Sequence, residues 1–178
     1  MFACKITFFI LFFSFGSLYA QNSQCEKHLI FKHHPSGSFE DTLEIKKIFL
    51  LKKKILVFLK NESKKINYPA NSVWGYKSEN CTVFRLYEGE FYKLFQQSDI
   101  ILYSRVIWRG NFSENYYYFS YTPDSEIIPV NRKTVMKEFK TNVCILKRLG
   151  ELKWGESTRD WDKEKNTIRF MVWYTACK

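Results

Sequence analysis

From Ser72 to Tyr121 the chain is divided into short apolar and aromatic runs joined by short connections, and this spacing limits the fold more than any other feature. Ser72–Lys77 turns at Glu79-Asn80 into Cys81–Tyr87, and Glu88-Gly89-Glu90 leads tightly into Phe91–Phe95. Ile100–Val106 and Tyr116–Tyr121 complete the series. Such connections suit antiparallel hairpins, because a parallel crossover needs a dozen or more residues. The expected class is α+β. A mainly antiparallel β meander or partial barrel over about residues 55–121 is followed by one or two short helices and a final strand.

The flanks are read by the same rules. Residues 21–44 are polar, carry all three histidines, contain a turn at Pro35-Ser36-Gly37-Ser38, and read as an irregular segment. In Ile45–Lys60 the apolar residues surround Lys52-Lys53-Lys54, and three adjacent lysines at the centre oppose a membrane span. A basic amphipathic helix is one reading of this stretch. Ile55–Leu59 reads better as a buried strand, with Lys64–Tyr68 returning as its partner up to Pro69. After Pro123, Asn131 can cap a helix running to Phe139, and Val143–Leu149 is a second helix stopped by Gly150. Gly155–Asn166 is polar and irregular. Ile168–Tyr174, rich in β-formers, is expected as the final strand.

The first twenty residues read as an export signal. Lys5 gives a short positive region, Ile6–Phe15 is almost wholly apolar, and Gly16–Ala20 is a small-residue exit with Gln21 as the mature start. The apolar run is too short to span a bilayer comfortably. The expected product is a single exported β-rich domain of residues 21–178, periplasmic or extracellular, with no transmembrane span. Asn22-Ser23-Gln24 is not the apolar, small-residue pattern that precedes a lipid-anchor cysteine, so Cys25 is not expected to carry lipid. Removing Lys5 from 28 Lys+Arg leaves 27 against 18 Asp+Glu, a net +9. That balance either keeps the surface soluble or meets a polyanion.

Cys25, Cys81, Cys144 and Cys177 remain after the signal, and in an oxidising compartment they allow two disulfides with three connectivities. No pair has C-x-x-C spacing, which favours staples over metal or redox chemistry. A Cys25–Cys177 bridge would tie down the two ends.

Ser72-Val73-Trp74-Gly75-Tyr76-Lys77, Phe84-Arg85-Leu86-Tyr87, Ile101-Leu102-Tyr103 and Tyr116-Tyr117-Tyr118-Phe119-Ser120 occur in that order, followed by Ile128-Pro129-Val130-Asn131 and a helix. This succession resembles a group of small exported Gram-negative bacterial proteins of unknown function. The resemblance covers roughly residues 37–140. It implies an exported β-rich domain with a helical C-terminal part and carries over no catalytic residue. The cysteines, and Cys81-Thr82 where a glycine turn is more usual, depart from the pattern.

Few constellations carry chemistry. His28, His33 and His34 near Cys25 match no zinc spacing. Asp160-x-Asp162-x-Glu164 lacks the sixth-position glycine and the twelfth-position glutamate of a calcium loop. Neither a G-x-S-x-G elbow nor an H-E-x-x-H helix is present. Glu88 and Glu90 flank a turn glycine and are expected to splay apart. Arg85, with Trp74, Tyr76 and Tyr103, forms the candidate ligand or structural surface. Its guanidinium either receives a carboxylate or phosphate, or stacks on Trp74 or Tyr76 of the neighbouring strand. Three N-glycosylation sequons begin at Asn61, Asn80 and Asn111, and matter only in a eukaryotic secretory pathway. No cofactor and no specific nucleic acid is expected. The expected function is a non-enzymatic binding or structural module of the bacterial envelope or exterior, with an anionic envelope component or a protein as partner. The alternative is a small exported hydrolase with an unrecognised site.

Overall fold

The computed structural model describes residues 25–32, 42–60, 62 and 64–178. The segment read as an export signal, His33, His34 and the expected turn at Pro35-Ser36-Gly37-Ser38 lie outside the described residues. Ten strands form one open antiparallel sheet: β1 (His28–Phe31), β2 (Thr42–Leu51), β3 (Lys54–Leu59), β4 (Lys65–Pro69), β5 (Val73–Lys77), β6 (Val83–Tyr87), β7 (Glu90–Gln97), β8 (Ile101–Arg109), β9 (Phe112–Ser120) and β10 (Ile128–Pro129). Their order across the sheet is β10-β9-β8-β7-β6-β5-β1-β2-β3-β4. The sheet is therefore two meanders, β1–β4 and β5–β10, sewn together where β1 pairs with β5. Helices α1 (Arg132–Glu138), α2 (Val143–Gly150) and α3 (Arg169–Ala176) follow, and β11 (Trp161–Asp162) pairs with β12 (Thr167–Ile168). The sheet stays open and does not close into a barrel.

One expectation at the N-terminal side is corrected. The segment read as irregular contributes β1, and the sheet begins well before residue 55. β1 lies between β2 and β5, with Leu29 opposite both Leu43 and Tyr76. One of its two partners, β5, is far away in sequence, and the polar run that follows β1 hid the other pairing, with β2. Ile55–Leu59 is a strand with Lys65–Pro69 returning beside it, as expected, and Ile45–Lys60 as a whole is the β2–β3 hairpin and not an amphipathic helix. Lys52 and Lys53 form its turn, where charged side chains stay in water, and Ile45, Ile55 and Val57 are buried on either side.

The final strand is also corrected. Residues 169–176 form α3, although Phe, Val, Trp and Tyr are β-formers. Neighbouring structure supplies what propensity does not. Ile168 caps nothing with its side chain, but Arg169 N–H donates to Asp160 O at 2.8 Å and Phe170 N–H to Thr158 O at 3.0 Å. Those carbonyls satisfy donors that a helix start leaves unpaired. Phe170 and Met171 are then buried on one face. α1 follows the expectation: the Asn131 side chain accepts from the Thr134 N–H, and Thr134 reciprocates.

Among the described residues, three hydrophobic clusters hold the fold together. The largest packs Leu102 and Phe119 of the sheet, with Ile100 just before β8, against Val135, Phe139, Ile145, Leu149, Phe170 and Met171 of the helical part. A second unites Leu29, Ile45, Ile55, Val57, Val73 and Leu86 across the two meanders. A third, Tyr92, Ile101, Tyr103 and Ile127, lies beneath the loop after β9. Each fully buried Leu, Ile or Phe contributes about 1.5–3 kcal/mol. The cysteines pair as Cys25–Cys81 and Cys144–Cys177, with Cα separations of 5.1 and 5.5 Å. The end-to-end Cys25–Cys177 bridge is not formed. Each bond instead fastens elements already adjacent: one flanks the β1–β5 seam, the other joins α2 to the end of α3. Among the described residues no helix is long and apolar enough to cross a membrane.

Candidate functional site

Arg85 is the centre of the most elaborate polar arrangement in the sheet. Alternation along β6 sends Phe84 and Leu86 to one face and Arg85 and Tyr87 to the other. Arg85 is only 3% exposed. Its Nη1 donates to the Tyr103 hydroxyl at 3.2 Å and to Ser120 Oγ at 3.4 Å, and its Nη2 donates to the Ser125 carbonyl at 2.6 Å. Tyr103 and Ser120 lie 3.2 Å apart, and Ser120 Oγ donates onward to Thr122 O at 2.8 Å. The donor order is then fixed: Tyr103 accepts from Arg85 and donates to Ser120. Three strands and the loop after β9 are thereby tied to one guanidinium.

That loop is itself rigidly made. Ser125 Oγ accepts from the Tyr121 and Thr122 N–H groups at 3.1 and 3.0 Å, and Ser125 N–H donates to Thr122 Oγ1 at 3.1 Å. The turn holds the Ser125 carbonyl where Arg85 reaches it. Among the described residues no ion pair includes Arg85, so its charge is met by neutral oxygens and by rings. The Tyr87 and Tyr103 ring centroids lie 5.4 and 5.7 Å from its Cζ.

The rings were expected to be Trp74 or Tyr76, and the register explains the difference. Gly75 stands opposite Arg85, which puts Tyr76 opposite Phe84 on the far face. There Tyr76 stacks on Phe84 at 4.8 Å and meets Phe91 edge-on at 4.9 Å. A bulge where Ile30 and Phe31 face Gly75 and Val73 leaves Trp74 unpaired in the β1–β5 ladder. Trp74 turns to the Arg85 side, and its indole N–H donates to Pro123 O at 3.1 Å. Gly75 is required here by space. A Cβ at this position would lie 1.9 Å from the Phe84 carbonyl oxygen.

A cleft of about 530 Å³ opens beside this group, lined among others by Trp74, Arg85, Tyr87, Lys32, Glu88 and Asp124. Of the four residues singled out from sequence, Arg85 and Tyr103 are bonded to each other, Trp74 shares the cleft with Arg85, and Tyr76 lies away from it. Tyr87 was detectable, two residues beyond Arg85 and hence on its face. Ser120 and Ser125 were not: Ser120 ends β9, three strands across the sheet from Arg85, and only the loop after β9 brings Ser125 there. Glu88 and Glu90 separate as expected: Glu88 lines the cleft, while Glu90 pairs with Arg105 at 2.8 Å. Burial, together with nearby Glu88 and Glu126, pushes the Tyr87 phenol above its ordinary value.

The other candidate clusters are engaged structurally. Cys25 is disulfide-bonded, and His28 Nε2 lies 3.9 Å from Glu26. Asp160 accepts from Ser157 N–H at 2.8 Å and pairs with Arg169 at 3.4 Å, while Asp162 accepts from Lys165 N–H at 2.9 Å. These carboxylates organise turns. Among the described residues no group of three or more His, Cys, Asp and Glu is placed to hold a metal. No family model, no curated protein and no solved structure matches the chain.

Proposed function

We propose that the protein is an exported, non-enzymatic binding module of an envelope or extracellular surface, in keeping with its motif resemblance to small exported Gram-negative proteins, and that the cleft beside Arg85 takes an anionic group. The observation that carries this reading is a guanidinium buried in the sheet with neutral oxygens as its partners, bordering a cleft that also offers Lys32 and the Trp74 indole. A buried cation without a carboxylate is costly. Glu88 and Asp124 also line the cleft but form no ion pair with Arg85 among the described residues, and a carboxylate or sulfate approaching past them would give the guanidinium its direct ionic partner. Trp74 adds an apolar face of the kind on which a sugar ring rests.

The hydrolase reading finds Glu88 and Asp124 in the same cleft. Both are solvent-exposed, and no water-excluding surroundings support proton transfer between them. Binding is therefore the better account. On immobilised heparin, the protein is expected to be retained at low salt and released steeply as salt rises. Lys32→Gln should elute at lower salt than the wild type, whereas Lys163→Gln, at an exposed site away from the cleft, should lower elution less. Absence of retention at low salt, or equal effects of the two substitutions, overturns the cleft as an anion site.

A further inference from the structure

The distal half of the β8–β9 hairpin carries a second surface, independent of the cleft. Beyond the buried stretch Ile101–Tyr103, the exposed hydrophobics include Val106, Trp108 and Phe112, at 52, 72 and 81% exposure. The last two rungs pair Trp108 with Ser113 and Arg109 with Phe112, around a Gly110-Asn111 turn. Directly opposed residues share a face and successive residues alternate. Trp108 therefore projects from one face of the ribbon and Phe112 from the other. A protein groove covers one face of a ribbon. A fluid interface surrounds both.

The charge around the hairpin selects the interface. Arg109 and Arg159 sit over the Tyr116 ring, at 5.7 and 4.7 Å from its centroid, and Arg105 lies over Tyr92 at 5.8 Å. Arg159 pairs with Glu114 at 3.4 Å and Arg105 with Glu90, while Arg109, nearest the tip, is in no ion pair among the described residues. The chain as a whole is +10. Apolar tips beneath a collar of arginines match an anionic lipid surface, where aromatics enter the headgroup boundary and cations stay among phosphates. Two rungs reach about 7 Å, and interfacial burial is about 5–10 Å. Glu114, one rung further back, then remains outside.

We infer that the Trp108–Phe112 hairpin tip inserts into the headgroup region of an anionic bilayer and holds the protein on that surface. The test is co-sedimentation of the purified protein with phosphatidylglycerol–phosphatidylcholine vesicles, beside pure phosphatidylcholine vesicles. Binding should favour the anionic vesicles and weaken with salt. Trp108→Ser/Phe112→Ser should cut partitioning by about tenfold or more while leaving heparin retention unchanged, which separates this inference from the cleft. Trp108→Phe should retain binding but lose most of the quenching of tryptophan emission by brominated lipid. Failure of the wild type to bind anionic vesicles overturns the inference, as does full binding by the double serine variant. A wild-type dimer that this variant converts to monomer in sedimentation equilibrium would also overturn it, since the tip would then be covered by a second copy.

Discussion

Gly75 is the single residue on which the Arg85 arrangement most depends. Its missing Cβ lets β5 lie against β6 at the rung where Arg85 is buried, and any side chain there would strike backbone, which cannot swing aside. Gly75→Ala is therefore expected to lower stability by about 3 kcal/mol or more, because relief requires moving a strand. Urea midpoints of the two proteins check this. Alanine at Gly89, which a Cβ would leave without any contact within 4 Å, has no such clash, although its φ of 77° still disfavours a side chain. At this scale the sequence was half legible. Arg85 between Phe84 and Leu86 announced a guanidinium on a sheet face. Which rings it meets depended on a one-residue register and a bulge at Trp74, and a period-two pattern carries neither.

Among the elements, α3 depends most on its surroundings. An eight-residue helix of Phe, Val, Trp and Tyr has no stability of its own in water. It persists because Phe170 meets Phe119 and Phe139, at ring separations of 5.3 and 5.6 Å, and because Cys177 is bonded to Cys144. That bond closes a separation of 33 residues, and loop entropy alone makes it worth about 4 kcal/mol. Cys144→Ser/Cys177→Ser is expected to lose roughly that amount in denaturant unfolding, with α3 amides losing hydrogen-exchange protection first. The contrast with α1 shows what a sequence can carry. Asn131 and Thr134 write the start of α1 into four adjacent residues, whereas the start of α3 is written in Thr158 and Asp160, on another segment. The β5–β9 strands were legible for the same local reason, since each pairs with its sequence neighbour. β1 was not, since its pairing with β5 spans most of the N-terminal meander.

The molecule as a whole is an open sheet with tyrosines set into both faces. Burial, the leading cause in each case, raises the phenol pKa of Tyr76, Tyr92, Tyr117, Tyr118 and Tyr121. The folded state thus keeps these protons at a pH where the unfolded chain has released them. Their contribution is fully present below about pH 10, the unfolded value, and is lost as pH rises through the folded values. Urea midpoints should fall above about pH 10, and the phenolate absorbance of the folded protein should develop later than that of the unfolded chain. The β1–β5 seam, finally, sets the order in which the molecule can be built. A nascent chain delivers β1 first, yet one edge of that strand has no partner until β5 follows about forty residues later. Each meander can form from neighbouring contacts, while joining them must wait and must close a long loop. The Cys25–Cys81 bond spans that join, so a chain oxidised early enters its last folding step with the two halves already tethered, and a reduced one must find the seam by diffusion.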